Sequence, residues 1–130
     1  MPETNLEINP TRATLNHTGE MPQDPQAERS VLSAMLLSPE AFQECLLEVQ
    51  EGDFYLPSTR KIFLSMRKLF DNNQPVDPVS LADALKSEGE LERVGGMPYL
   101  LDLVNAPFAL ASWRHHAEML RRDATLRQMI

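Results

Sequence analysis

Three times this chain sets an Asp or a Ser directly before a proline: Asp24-Pro25, Ser38-Pro39 and Asp77-Pro78. An Asp or Ser at such a place accepts a hydrogen bond from the unpaired N–H groups at a helix start. A proline at the first helical position gives up only an N–H that has no intrahelical partner there. Each pair therefore opens a helix, and apolar residues at three-four spacing follow each one. The first helix carries Val31, Leu32, Met35 and Leu36, the second Ala41, Phe42, Cys45, Leu46 and Val49, and the one after Asp77 carries Leu81, Ala82 and Leu85. Between them, Ser58 is expected to cap a helix with Ile62, Phe63, Met66, Leu69 and Phe70 on one stripe. No segment alternates as a half-buried strand does. The expected fold is all-α: a compact bundle of about six helices with short connections, followed by a long projecting helix.

Two features shape the C-terminal part. In "LERVGGMPYLLDLV" the adjacent glycines Gly95 and Gly96 read as punctuation, since glycine inside a helix costs roughly 1 kcal/mol relative to alanine. Gly95 is expected to close a short helix in the left-handed conformation. Pro98 suits the first turn of the next helix, which carries Tyr99, Leu100, Leu103 and Val104 and ends at Pro107. The segment from 109 to 130 then lacks Gly and Pro and spans roughly 33 Å as a helix, longer than the head preceding it. Leu110, Trp113, Ala117, Leu120 and Ala124 form one stripe on it, and Met119, Leu126 and Ile130 a second. A helix apolar on two sides needs two neighbours. Trp113, Ala117, Met119, Leu120 and Leu126 are therefore the expected self-association residues, and the helix reads as cut in mid-element.

Of the 130 residues, 42% are hydrophobic, enough for one domain core, and the formal net charge is −7. That charge disfavours autonomous nucleic-acid binding, which needs cations to neutralise phosphates. No apolar run approaches the roughly 18 residues of a membrane span, and the polar N-terminus has no signal-peptide pattern, so a cytoplasmic location is the default. The lone Cys45 excludes an internal disulfide and a cysteine metal cluster. Residues 1 to 22 lack periodicity and are expected to be a flexible tail.

Several motifs invite chemistry and each has a plainer reading. His115 and His116 of "HHAE" point about 100° apart on a helix and cannot chelate one ion together. "GDFY" lacks a second catalytic group beside Asp53, so Phe54 and Tyr55 read as an aromatic plug. Arg121, Arg122 and Arg127 read as a solvated face. No phosphate-binding loop of the Gly-x-x-x-x-Gly-Lys type exists. Hence no catalytic, cofactor-binding or metal residues are expected, and no cofactor in this segment.

The blocks "AERSVLSAMLLSPEAF", "GDFYLPSTRKIF", "QPVDPVSLADAL" and "GELERVGGMPYL", followed by the long helix ending "LRQMI", occur in one order and spacing. Over residues 22 to 130 the chain resembles the N-terminal domain of the DnaB-type replicative DNA helicase. The tail over 1–22 lies outside the resemblance, which implies a helical head over 23–108 and, over 109–130, the first helix of a hairpin. It implies that hairpins pair between subunits and that the domains form a collar on a hexameric ring. The collar receives primase, and a helicase loader is a further candidate partner. DNA engages only the full ring, and no membrane is involved. The 5′–3′ unwinding motor, with its ATP and Mg, belongs to a C-terminal part. Tyr99 and Ile130 match positions linked to primase coupling, with Gln26 a weaker match. Gln26 stands where the family usually has Glu, Thr59 lies near a common His, and Ser112, His115 and His116 replace Asn and Tyr-Tyr. The rival readings are a freestanding helical adaptor without a motor and a small metal-dependent hydrolase built on "HHAE".

Overall fold

The computed structural model describes residues 21–106 and 108–129. These form six α-helices and one 3-10 turn, with no strand among the described residues. The helices are α1 (Pro25–Leu37), α2 (Pro39–Glu48), α3 (Pro57–Asp71), α4 (Pro78–Ser87), α5 (Gly96–Leu103) and α6 (Ala109–Gln128), and the 3-10 turn is Glu51–Asp53. The expected helical class is the class found.

All three cap–proline pairs open helices. The N–H of Ala27 donates to Asp24 Oδ1 at 3.1 Å, that of Ala41 to Ser38 Oγ at 3.1 Å, and that of Ser80 to Asp77 Oδ1 at 2.7 Å. Helix α3 differs. It begins at Pro57 after Leu56, which offers no capping side chain, so Ser58 lies inside the first turn. A side chain of α1 instead holds the segment that leads into α3. The Glu28 carboxylate accepts the N–H of Tyr55 at 2.9 Å, the N–H of Leu56 at 3.3 Å and the hydroxyl of Thr59. Glu28 is 1% exposed, a depth at which a carboxylate is tolerated only when its oxygens are hydrogen-bonded. Negative charge at a helix N-terminus is favourable in addition.

Helix α1 is the hub, touching α2, α3, α5 and α6. Ala27, Val31, Leu32, Ala34 and Met35 are all buried along it. Around them Phe54 and Phe63 pack with ring centroids 4.9 Å apart, and Ile62, Met66, Leu81, Leu85, Leu100 and Leu103 complete a continuous core. Phe54 is the expected plug, fully buried, whereas Tyr55 stays half-exposed. Before α5 the chain makes a hydrogen-bonded turn over 91–95 rather than a short helix: Gly96 N–H donates to Leu91 carbonyl at 2.9 Å. Gly95, in the left-handed region, closes this turn as expected, its N–H donating to the Glu92 carbonyl at 3.2 Å, and it is at the same time the N-cap of α5.

Helix α6 does not project. It lies antiparallel along α1, with His116 against Ser30 and Arg127 against Pro22. Trp113, Ala117, Leu120 and Ala124 are all buried on its inner side. Length alone suggested projection, but the apolar stripe matches the hub helix along most of that length. Arginines hold the outer edges. Arg114 pairs with Glu44 and Arg121 with Glu48, both on α2. Arg127 donates to the carbonyls of Pro22 (2.7 Å), Gly52 (3.2 Å) and Asp53 (3.4 Å), its guanidinium 5.1 Å from the Tyr55 ring centroid. Arg121 and Arg127 thus join α6 to the head instead of forming the solvated face expected of them, and Arg122 reaches Asp123 beside it. Pro22, assigned to the tail on sequence, is buried within this body.

Candidate partner-binding face

One side of α1 escapes the core. Gln26, Arg29, Ser30 and Ser33 follow one another at helical spacing and line a cleft with Ala106, Phe108, Ala109, Ser112 and His116. The cleft lies where α1 meets the entry to α6. His116 Nδ1 is 2.7 Å from Ser30 Oγ, closing one end. Ser112 donates its hydroxyl to the Phe108 carbonyl at 2.9 Å. At the rim the Phe108 side chain is 83% exposed, an unusual place for an aromatic ring that nothing covers.

Tyr99, near the start of α5, stands beside this cleft, and the glycines explain its position. Gly95 has φ 116° and Gly96 φ 72°, values that favour glycine. A Cβ on Gly95 would lie 2.7 Å from Tyr99 Cβ and 2.9 Å from its Cγ. The root of the tyrosine side chain therefore packs directly on the bare glycine backbone. The Arg29 guanidinium lies over the Tyr99 ring, 5.3 Å from the centroid, a cation–π arrangement. Burial raises the Tyr99 hydroxyl above the usual tyrosine range, and the Arg29 charge partly opposes this.

The expected site residues separate accordingly. Gln26 is exposed and Tyr99 half-buried, and both border Arg29. Ile130 lies outside the described residues. Trp113, Ala117 and Leu120 are 2%, 1% and 1% exposed: they pack into the chain's own core and, with α6 docked, present nothing to a second subunit. Met119 and Leu126 remain half-exposed on α6. Arg29 and Phe108 escaped the sequence reading. An arginine three positions after Gln26 looks like ordinary helix solvation, and only the fold sets it against Tyr99. Among the described residues no three His, Cys, Asp or Glu side chains gather as a metal site. His116 bonds Ser30 and His115 is exposed, so "HHAE" assembles no hydrolase centre. The glycine pair backs Tyr99 and does not form an open phosphate nest, so these residues do not fit ATP or Mg. No helix of the described residues is long and apolar enough to cross a membrane.

The geometry defines an all-helical domain around a central buried helix, with one polar, aromatic-edged face left open. Residues 20–122 match the DnaB-like helicase N-terminal domain, and the chain belongs to that family. It is 36% identical over 109 residues to the replicative DNA helicase DnaB of Mycobacterium leprae (strain TN), covering 84% of this chain and 18% of that protein. It is 35% identical over 109 residues to the replicative DNA helicase DnaC of Bacillus subtilis (strain 168), covering 84% of this chain and 24% of that protein. The crystal structure of the N-terminal domain of DnaB helicase from Mycobacterium tuberculosis is similar with a TM-score of 0.78 and 37% identity, covering 85% of this chain and 79% of that one. The chain thus spans about a quarter or less of the length of these curated relatives.

Proposed function

We propose that this domain is the N-terminal collar of a hexameric replicative DNA helicase, acting in the cytoplasm in ring assembly and in docking primase during replication. The observation carrying this reading is the family match across residues 20–122 on a fold that leaves Gln26 and Tyr99 open on one face. Unwinding, ATP and Mg belong to a motor domain that the collar organises; the collar's own part is to bind and to position. Its polar cleft and exposed Phe108 suit a protein surface. Self-association uses the outer side of α6, where Met119 and Leu126 are half-exposed, with Trp113, Ala117 and Leu120 fixing that helix from beneath. A loader protein is a further candidate for the same collar.

Two measurements test the proposal. Calorimetric titration with the helicase-binding domain of the cognate primase should give saturable binding that Tyr99→Ala weakens about tenfold or more, the scale of a lost aromatic anchor. Sedimentation equilibrium of the full-length protein should show assembly that Leu126→Asp weakens. A primase domain that ignores the parent, or a full-length protein that stays monomeric at tens of micromolar (roughly the range where a 1 μM interface, near −8 kcal/mol, saturates), defeats the corresponding half.

A further inference from the structure

We propose that Arg29 is the docking point for a carboxylate of the partner protein, received in the cleft between α1 and the start of α6. The inference deepens the partner-docking reading above and rests on it.

Acidic residues outnumber basic ones here, 19 to 12. Arg93, Arg114, Arg121 and Arg122 each pair with a carboxylate. Among the described residues none pairs with Arg29, although it is half-buried at the wall of a concave site. Its guanidinium is held over the Tyr99 ring. No described residue accepts a hydrogen bond from that guanidinium, and its forked N–H groups suit bidentate bonds to a carboxylate. The cleft lining contains no acidic residue: beside Arg29 are the Gln26 amide, the Ser30, Ser33 and Ser112 hydroxyls, and His116. Gln26, with its exposed amide, can donate a further hydrogen bond to the same acceptor. The cleft has a volume of about 280 Å³, room for a partner side chain.

The occupant therefore presents one Asp or Glu to Arg29 and an apolar side chain to the exposed ring of Phe108. A protein segment has this pairing. A nucleic-acid strand offers anions as well, but it brings a run of phosphates toward a chain of net charge −7, which their repulsion opposes. A second copy of this chain is assigned by the reading above to the outer side of α6, at Met119 and Leu126, and not to this cleft.

The probe is the primase helicase-binding domain named above, titrated calorimetrically into the parent, Arg29→Gln and Arg29→Glu at low and physiological salt. Arg29→Gln should weaken binding about tenfold and Arg29→Glu about a hundredfold, the range of a charge-assisted bond lost and then reversed. The parent's affinity should fall more steeply with salt than that of Arg29→Gln. Exposed Asp and Glu residues of the primase domain are then replaced singly by Lys. One such change should restore binding to Arg29→Glu at least about tenfold while weakening the parent, a reciprocal effect that general destabilisation cannot produce. Arg29→Gln, if its melting matches the parent's, carries the measurement should Arg29→Glu fail to fold. Binding by the parent with both variants unaffected, or with no Lys change restoring Arg29→Glu, overturns the inference alone. Displacement of the primase domain by oligothymidylate overturns it in favour of phosphate docking. A parent that does not bind the primase domain defeats the underlying reading first, and this one with it.

Discussion

Gly95 shows how one residue carries both backbone and site. At φ 116° a side chain is strained, and its Cβ would press into the root of Tyr99. Gly95→Ala should therefore lower unfolding free energy by about 1–3 kcal/mol, the cost of forcing a left-handed position, measured by urea denaturation. It should also displace Tyr99 and weaken partner binding along with stability. Cys45 makes a second prediction at this scale. Burial above all, then the Glu44 charge with Glu48 adding and Arg114 opposing, pushes its thiol up to about 12. Below about pH 9 both folded and unfolded chains hold the proton, and Cys45 leaves stability unchanged with pH. Between about pH 9 and 12 the unfolded chain releases the proton and the folded chain keeps it, so stability falls as pH rises, by up to about 1.4 kcal/mol per unit. The parent's urea midpoint should thus drop more steeply above pH 9 than that of Cys45→Ala. Equal slopes would place the thiol in contact with solvent.

At the scale of elements, α6 is docked by its apolar stripe more than by its arginines. Trp113 is 2% exposed, and Trp113→Ala should cost about 3–5 kcal/mol through lost transfer energy and the cavity left behind. The Arg121 and Glu48 side chains are 44% and 49% exposed, and solvent screens such a pair. Arg121→Ala should change stability by no more than about 1 kcal/mol. Denaturant melts of the two variants decide the point, and a reversed ranking would mean that ion pairs hold the helix down. Helix α1 is tied to α3 by a different device. Glu28 serves two backbone N–H groups and a hydroxyl at the far helix's start, so Glu28→Ala strands buried donors. Each such unsatisfied group costs about 1–3 kcal/mol. A melt showing Glu28→Ala as stable as the parent would exclude this anchoring role.

For the whole molecule the governing quantity is charge. With net −7 and Arg114, Arg121 and Arg127 of α6 engaged on the head, the domain should bind single-stranded DNA no more tightly than about 100 μM at physiological salt, the weak end of non-specific affinity. Fluorescence anisotropy with a labelled oligonucleotide measures this, and a sub-micromolar constant would refute it. The same charge that disfavours DNA makes Arg29, at the wall of the α1–α6 cleft, conspicuous, and the proposed docking residues Gln26 and Arg29 lie along one side of the hub helix.

Helix starts at Asp24, Ser38 and Asp77 were legible from the chain alone, because capping and the fixed geometry of proline act over three or four residues. So were core members such as Val31, Leu32, Phe63 and Leu85, whose period exposes the face they share, and so was the family, whose blocks recur in order. Gln26 and Tyr99 were legible only through that resemblance. What the chain did not disclose depends on partners distant in sequence: the Glu28 cap lies 28 residues from Leu56, and the Ser30 contact 86 residues from His116. Periodicity identified the buried stripe of α6 but not whether a subunit or the head would cover it. Tertiary packing decided that by laying Trp113, Ala117 and Leu120 against the hub, and it set Arg29 over Tyr99 because α1 and α5 meet only when the core closes between them.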